Sequence, residues 1–318
     1  MAAFRTFEPV GVIPACLLPF NEDFSLDDPS FREHLRFLAA TDGISAITVN
    51  GHSCEVPSLT FDEQKRVIEI AADEVGGRIP LVSGVYADGS LEAARLARMA
   101  QAAGASALLV FPPNPFVMGA QRRPEMALAH FRTIADATDL PLIVFQYPLS
   151  SGQGYPIDTL VGLAEEIPSI CAIKDWCGDP VLHEKHIRTL HSLARPISVL
   201  TTHSAWLLSS LVLGCDGILS GSGSVIADLH VALYRAVRDG DLVGARSVYE
   251  RISSLAEVFY AEPWVDMHNR MKEALVILGR LKRAVVRPPL IKLPPHEIER
   301  IRVALARAGV RRDGALIR

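Results

Sequence analysis

The sequence predicts a (β/α)8 barrel, a TIM barrel, with a C-terminal helical extension, and three observations carry this prediction. Eight short apolar runs, many of them β-branched, alternate with longer segments of helical period. Helix-boundary signals separate them: Thr60 and Glu63 form a capping-box pattern, and Gly104 and Gly214 follow helical segments as C-caps do. No glycine-rich fingerprint follows the first run, which favours the barrel over a doubly wound sheet with the same local pattern.

Each predicted strand is a short apolar run bounded by glycine, proline or polar residues. In chain order, the predicted strands cover residues 12–20, 44–51, 80–85, 107–113, 141–148, 170–176, 197–203 and 216–223. A segment of helical period follows each of them. Eight strands with a helix after each is the count of the closed barrel.

After residue 240 the alternation stops. Three helical segments remain, LVGARSVYERISSLAEVFY, DMHNRMKEALVILGRL and HEIERIRVALARAG, and the loop VVRPPLIKLPP joins the last two. We therefore predict a catalytic barrel over residues 1–240 and a three-helix extension, packed on the barrel, over residues 241–318.

Composition excludes several classes of protein. The 32 basic and 36 acidic residues give a net charge of −4 without a block of one sign, which does not indicate a nucleic-acid or membrane-surface partner. Five cysteines, an odd number without a CxxC pair, predict a reducing cytoplasm rather than a disulfide framework. The proline-broken N-terminus predicts no signal peptide, and no apolar run approaches the ~20 residues of a membrane span.

Lys174 stands at the end of the apolar run 167–173. A lysine that points into an apolar barrel mouth loses hydration, which disfavours its charged form and lowers its pKa. The free amine can then attack a ketone and form a Schiff base. A lysine that extends to solvent from a strand end is the alternative.

Polar residues gather at the carboxyl ends of the predicted strands, where barrels hold their active sites. They lie at 51–55 (GHSCE), 112–114, 146–147, 174–175, 201–204 and 220–224. Hydroxyl and backbone N–H groups after strands 2 and 8 can hold a carboxylate beside the ketone that the lysine attacks.

The motifs, taken in order, resemble the dihydrodipicolinate synthase / N-acetylneuraminate lyase family of pyruvate-dependent class I aldolases. They are PFNEDFSLD at 19–27, GHSCE at 51–55, LTFDEQKRV at 59–67, PLVSGV at 80–85, a fifth strand ending in YP, the IKD strand and GCDGILSG at 214–221. Each is weak alone, whereas their order and spacing over residues 9–309 are specific.

The resemblance implies roles for particular positions. Lys174 matches the Schiff-base lysine, Ser53 matches the hydroxyl that contacts the keto acid's carboxylate, and His52 occupies the neighbouring hydroxyl position. The residues around the strand 8 turn line the same pocket, namely Leu219, Ser220 and Gly221.

The sequence departs from the family at the proton-transfer position. The family's acid/base tyrosine on strand 5 falls at Phe145, which cannot transfer a proton. Tyr147 lies two residues later on the same strand face, so we predict that it takes over this role. A packing role for Tyr147 is the alternative, with His52 and His203 as the next candidates for proton transfer.

Substrate positions depart as well. The synthase's substrate-binding arginine falls at Ser150, and its tyrosine from a neighbouring subunit falls in PPNPF at 112–116, which contains none. The lyase's acidic sugar-binding pair falls near His203 and Ser204. These departures predict against efficient dihydrodipicolinate synthase activity and against sialic acid as substrate.

We therefore predict a cytoplasmic lyase, an aldolase or a dehydratase, that forms a Schiff base with pyruvate, a related 2-oxo acid or a 2-keto-3-deoxy sugar acid. The prediction includes no cofactor, no metal ion, and a homodimer or homotetramer, with Phe116, Val117 and Met118 as candidate interface residues. The competing hypothesis is a non-catalytic barrel that binds a small carboxylate as a sensor or scaffold, and Phe145 favours it. The second substrate and the direction of reaction stay open.

Two weaker signals complete the predictions. His183, His186 and His191 share one helical stretch, but HEKH is not the HExxH metal motif, so we predict a solvated helix face. Glu55 is predicted to brace its loop by hydrogen bonds.

Overall fold

A computed structural model describes residues 7–312 as a barrel of eight parallel strands. The strands are β1 Gly11–Pro14, β2 Ile47–Val49, β3 Leu81–Val85, β4 Ala107–Val110, β5 Leu142–Gln146, β6 Ile170–Asp175, β7 Ser198–Thr201 and β8 Gly217–Ser220. They pair in the order β1-β8-β7-β6-β5-β4-β3-β2, and parallel bridges from Val12 to Ile44 and from Ala15 to Thr48 join the two ends. The predicted (β/α)8 fold is confirmed.

A helix follows each strand. These helices are α1 Asp28–Ala39, α2 Phe61–Val75, α3 Ser90–Ala103, α4 Pro124–Ala135, α5 Ile157–Glu166, α6 Pro180–His191, α7 Leu207–Val212 and α8 Gly223–Arg238. Thr60 and Glu63 form the predicted capping box. Gly104 has the left-handed conformation of a helix C-cap, with φ at +106°. The sequence signals therefore set these helix ends as expected.

The barrel has two apolar cores, one inside the strands and one between strands and helices. Successive residues of a strand face opposite sides, so each strand contributes to both cores. On β6, Ala172 faces the barrel interior and Ile173 faces the helices. Lys174 therefore points into the barrel and Asp175 points toward the helical layer.

Three further helices follow the barrel: α9 Leu242–Phe259, α10 Met267–Ile277 and α11 Pro295–Arg307. They pack on one another, and α9 and α10 also pack on α8. The buried Lys272 on α10 donates a hydrogen bond to Glu55 in the loop after β2. Glu55 also accepts a hydrogen bond from the Arg287 backbone N–H at 2.9 Å, so it braces its loop as predicted. No helix in the described part of the chain is long and apolar enough to cross a membrane.

Candidate active site

A cavity of about 320 Å³ opens at the carboxyl ends of the strands. Its volume is at the lower end for small-molecule pockets. It is lined by Ala15, His52, Ser53, Phe145, Lys174, Trp176, Gly178, Thr202, His203, Ser204, Ala205, Trp206, Gly221, Tyr260, Trp264, Met267 and His268. Strands β1, β2, β5, β6, β7 and β8, or the loops that follow them, position most of these side chains, and the segment from the end of α9 to α10 supplies the rest.

Lys174 is the cationic side chain of the cavity. It is buried, with 7% of its surface exposed, and Nζ lies 4.1 Å from the centre of the Phe145 ring. Among residues 7–312, no carboxylate forms a salt bridge with it. Burial lowers the pKa of Lys174 to about 7, so a large share of the side chain is free amine at neutral pH. The solvent-exposed alternative is wrong.

His52 and Tyr147 form a hydrogen-bonded pair beside this lysine. The Tyr147 hydroxyl lies 3.1 Å from His52 Nε2, and the Tyr147 ring packs edge-on against Phe145 at 4.7 Å. Burial raises the pKa of Tyr147, so its phenol keeps its proton. Burial, with a smaller contribution from the charge of Lys174, lowers the pKa of His52 to about 3, so the ring is neutral.

Tyr147 thus shares the barrel-facing side with Phe145, as strand parity predicts. His52 stands in the cavity wall, whereas Tyr147 lies behind it. Any effect of the phenol on a substrate therefore passes through His52.

Ser53 offers a free hydroxyl to the cavity. It lies in a 3-10 turn at His52–Cys54, and its side chain is 1% exposed. Its Oγ is buried without a hydrogen-bond partner among the described residues. A buried hydroxyl left unpaired costs about 1 to 3 kcal/mol, which a bound ligand atom would offset. This fits a contact with a substrate carboxylate.

The strand 8 prediction is met in part. Gly221 lines the cavity, where an added Cβ would lie 3.1 Å from His268 Nε2. Leu219 is instead fully buried inside the barrel, and Ser220 lies behind the wall, bonded to Ser204 at 3.1 Å. Leu219 and Ser220 are therefore not part of the cavity lining, because the inner core and a hydroxyl network occupy their side chains.

His203 lines the cavity as predicted. Burial lowers its pKa to about 4, so it is neutral, and its Nε2 lies 3.8 Å from Cys177 Sγ. Sequence reasoning missed much of the outer wall, which consists largely of Trp176, Trp206, Tyr260, Trp264, Met267 and His268. Trp176 and Trp206 follow β6 and β7, and this position at the strand ends could have identified them as cavity residues. The others come from the extension, whose position no local pattern reveals.

A second buried group lies on the opposite face of β6. Asp175 Oδ2 accepts hydrogen bonds from His183 Nδ1 and His186 Nδ1, each at 2.8 Å, and Oδ1 accepts one from the Cys177 backbone N–H at 2.8 Å. Burial alone would raise the pKa of Asp175, but the histidine hydrogen bonds outweigh it and hold that pKa well below its usual range.

The predicted solvated face of α6 is therefore wrong for two of its three histidines. His183 and His186 are fully buried, because Asp175 offers both of them a partner. His191 is partly buried and lies 2.8 Å from Asp216. The helical spacing correctly placed the histidines on one face, and the error was to point that face at solvent.

Four buried residues of this region could contribute metal ligands. Ligand atoms of Asp175, Cys177, His183 and His203 lie within 4.8 Å of one another. Both Asp175 oxygens already accept hydrogen bonds, and burial raises the pKa of the Cys177 thiol, which favours its protonated form. The hydrogen bonds already occupy these groups, and the expectation that the site needs no metal stays a prediction.

The fold and the cavity together define a class: a barrel enzyme with a buried, deprotonatable lysine at a strand end, as Schiff-base chemistry requires. A model of the Dihydrodipicolinate synthetase family matches residues 8–308. The chain therefore belongs to this family, whose members are pyruvate-dependent class I aldolases and lyases, and it is an enzyme of that class.

Individual relatives extend the comparison. A 4-hydroxy-tetrahydrodipicolinate synthase of Gluconacetobacter diazotrophicus is 31% identical, over 94% of this chain and 97% of the relative. A probable 2-dehydro-3-deoxy-D-pentonate aldolase of Escherichia coli K12 is 28% identical, over 94% of this chain and 97% of the relative. The structure of YagE, a prophage protein of E. coli K12 solved with pyruvate, superposes with a TM-score of 0.87 at 26% identity, covering 95% of this chain and 99% of YagE.

Proposed function

We propose that the protein forms a Schiff base between Lys174 and pyruvate or a related 2-oxo acid. The imine then makes or breaks a carbon–carbon bond, or eliminates water from a 2-keto-3-deoxy acid. One observation carries the proposal: Lys174 is buried at the cavity, no carboxylate among residues 7–312 pairs with it, and its pKa is lowered to about 7. Both reactions use the same imine and enamine, so the same side chains serve either outcome.

The proposed reaction begins with the free amine. Lys174 Nζ attacks the C2 carbonyl carbon, and water leaves as the imine forms. The unpaired Ser53 hydroxyl donates to the carboxylate on C1 and fixes the orientation of the ketone. Loss of a proton from C3 then gives the enamine, the carbon nucleophile of the next step.

We assign proton transfer to the Tyr147–His52 pair. His52 faces the cavity, and in the proposed arrangement the Tyr147 hydroxyl donates a hydrogen bond to His52 Nε2, so the single proton of the neutral imidazole lies on Nδ1. His203, which also lines the cavity as a neutral imidazole, is the alternative. Either assignment supplies the proton-transfer group that is missing at position 145, where phenylalanine stands in place of the family's tyrosine.

We further propose that the protein is not an efficient dihydrodipicolinate synthase, although several similar solved structures carry that name. Ser150, at the position of the expected arginine, is an exposed residue of a 3-10 turn, and no arginine stands among the described residues that line the cavity. Loss of a charge-assisted contact costs about 1.5 to 3 kcal/mol, or roughly one to two decades in rate. Rapid turnover of aspartate semialdehyde with pyruvate would refute this proposal.

A non-catalytic carboxylate-binding barrel is the second candidate, and Phe145 is the observation that favours it. Borohydride reduction separates the two candidates, because a binding protein has no need of an imine. We expect pyruvate plus borohydride to add a stable mass to the peptide that contains Lys174. Lys174→Ala should abolish the adduct, whereas Lys65→Ala, which removes an exposed lysine of α2, should retain it.

We also propose a cytoplasmic homodimer or homotetramer. All five cysteines are free, which fits a reducing compartment. After β4, Val117 and Met118 are exposed apolar residues, with 56% and 82% of their surface accessible, and Phe116 is half-buried beside them. Light scattering should show an oligomer that Met118→Asp weakens, and a concentration-independent monomer would contradict the proposal.

A further inference from the structure

The cavity beyond Lys174 has an aromatic wall, which we define as Trp176, Trp206, Tyr260 and Trp264. We propose that the second substrate is an uncharged aldehyde with a planar aromatic body, or, in the cleavage direction, the corresponding 4-aryl-4-hydroxy-2-oxo acid. This inference rests on the proposed Schiff-base function and adds the identity of the group that meets the enamine.

One side of the wall runs continuously from the lysine to the rim. Phe145 contacts Lys174, and Tyr147 packs on Phe145 at 4.7 Å between ring centres. Tyr147 packs on Trp176 at 5.5 Å, and Trp176 packs on Trp264 at 6.0 Å. Trp264 is 52% exposed, so it marks the mouth of the cavity. Phe145, Trp176 and Trp264 line the cavity, so a planar ligand attached to the imine would lie against these three rings, with Tyr147 packed behind them.

The other side is formed by Trp206, which follows β7. Its ring is tilted against that of His203, with ring centres 4.2 Å apart, and packs edge-on against His183 at 5.4 Å. Because His183 is itself held by Asp175, the indole has a fixed support. A ligand ring gains from packing on such rigid aromatic surfaces beyond the area that it buries, whereas an open-chain polyol gains only the burial.

The charges of the lining argue against a charged aldehyde. Burial lowers the pKa of His52 to about 3 and that of His203 to about 4, and it lowers the pKa of His268 well below its usual value. These rings are therefore neutral, and no Asp, Glu or Arg lines the cavity within residues 7–312. An ammonium or a second carboxylate on the aldehyde would be buried without a partner, which is costly.

The hydroxyl groups of the lining argue against a polyol. Ser204 is bonded to Ser220 at 3.1 Å and to Ser222 at 3.3 Å. The Tyr260 hydroxyl accepts the Ser222 backbone N–H at 3.3 Å and lies 3.2 Å from Ser220 Oγ. Ser204 and Tyr260 are thus engaged with neighbouring groups, and Ser53 is assigned to the C1 carboxylate, so these three hydroxyls are less available to a sugar.

The bond changes balance without a further reactant. The enamine carbon, C3 of the former pyruvate, forms a bond to the aldehyde carbon, and the electron pair of the aldehyde C=O moves to its oxygen, which takes one proton. One water molecule then hydrolyses the imine, releasing 4-aryl-4-hydroxy-2-oxobutanoate and free Lys174. Cleavage is the same sequence reversed.

The test compares aldehydes with pyruvate held constant. Benzaldehyde and 2-naphthaldehyde represent the aromatic class, glyceraldehyde the polyols and aspartate semialdehyde the charged class, with product measured by mass spectrometry. We expect kcat/KM for an aromatic aldehyde to exceed that for the other two classes by at least ~10-fold. Preference for another class, or no aromatic turnover by protein that traps pyruvate, overturns the inference. Failure to trap pyruvate refutes the proposed function itself.

Variants locate the effect at the wall. Trp206→Leu and Trp264→Leu should each raise KM for the aromatic aldehyde by about 10-fold and leave borohydride trapping of pyruvate intact. Trp206→Phe keeps a ring and should retain most of the affinity, which separates loss of the wall from loss of folding. Phe24→Leu, at an exposed aromatic residue before α1, is the matched control and should change neither quantity. Unchanged KM in both leucine variants would contradict the inference.

Discussion

Lys174 and Asp175 are consecutive residues on β6, and both are buried ionisable groups, yet their surroundings differ. Lys174 faces the barrel interior, where none of the described carboxylates pairs with it and its pKa falls to about 7. Asp175 faces the helical layer, where two histidines and a backbone N–H hold it ionised. Burial without partners produces a reactive amine, whereas burial with partners produces a structural anion, and strand alternation alone separates the two.

The largest effect expected from this comparison is the loss of catalysis in Lys174→Met. The substitution removes the nucleophile, so turnover and pyruvate trapping should both fall below detection. Folding should be retained, because an apolar side chain replaces a group that burial destabilises. Activity assays with a thermal melt test this, and Lys65→Met should leave both unchanged. Residual turnover above the uncatalysed rate would assign the chemistry elsewhere.

The pH dependence of stability is the next effect. The pKa of Lys174 is lowered from 10.5 to about 7 in the folded protein, so within this window the unfolded chain binds a proton that the folded chain does not. The free energy of unfolding should therefore rise with pH across the window, by roughly 5 kcal/mol in total.

Denaturant titrations of wild type and Lys174→Met at several pH values isolate this contribution, because other groups titrate equally in both. Plotted against pH, the free energy of unfolding of the wild type should approach that of the variant near pH 10.5. Toward pH 7 the wild-type value should fall below that of the variant. Parallel curves would show that the lysine stays charged in the folded state.

Lys174→Met should lose activity and keep its fold, whereas Asp175→Ala should lose stability. It leaves the Nδ1–H groups of His183 and His186 buried without their shared acceptor, and each buried donor left unsatisfied costs about 1 to 3 kcal/mol. Chemical denaturation measures the cost, and Asp158→Ala on the exposed face of α5 is the control, expected within ±0.5 kcal/mol. A loss under 1 kcal/mol would mean that the pairing does not hold the strand and helix together.

Tyr147→Phe should have the smallest energetic effect of these variants. The effect should also be selective, because it slows turnover and leaves imine formation with pyruvate in place. Removing the phenol interrupts the Tyr147–His52 pair and should slow turnover by about 100-fold, while the extent of pyruvate trapping is retained. Tyr155→Phe is the control, since Tyr155 is also a buried tyrosine but its hydroxyl has no hydrogen-bond partner among the described residues. Normal turnover in Tyr147→Phe would transfer the role to His203, to water or to the substrate.

The barrel could be predicted from the sequence because its signals are local. Each strand and each cap, such as the Thr60–Glu63 box, depends on residues within a few positions of one another. Lys174 could be found for the same reason, since a charge at the end of an apolar run is visible within one strand. Whether a carboxylate pairs with Lys174 is a tertiary property that no pattern within one strand shows. The resemblance to a family gave the lysine its Schiff-base role and said nothing of its partners.

The missed features depend on contacts between distant segments. His183 and His186 share a helix face at a spacing of three, but only the packing of α6 against β6 decides whether that face meets water or Asp175. The outer wall of the cavity includes Tyr260, Trp264 and His268, about 90 residues beyond Lys174. No periodicity links such positions, so the sequence predicted a helical extension without showing that it completes the site.

The bond from Lys272 to Glu55 joins positions 217 residues apart, and Met267 and His268 of the same helix line the cavity. A ribosome makes the chain from its N-terminus, so the loop after β2 and the strand that carries Lys174 both emerge before α10. A nascent or prematurely released chain therefore lacks both the brace of that loop and one wall of the cavity. Lys174 is enclosed only when α10 has been made and has docked, so the proposed Schiff-base chemistry would wait until the barrel is assembled.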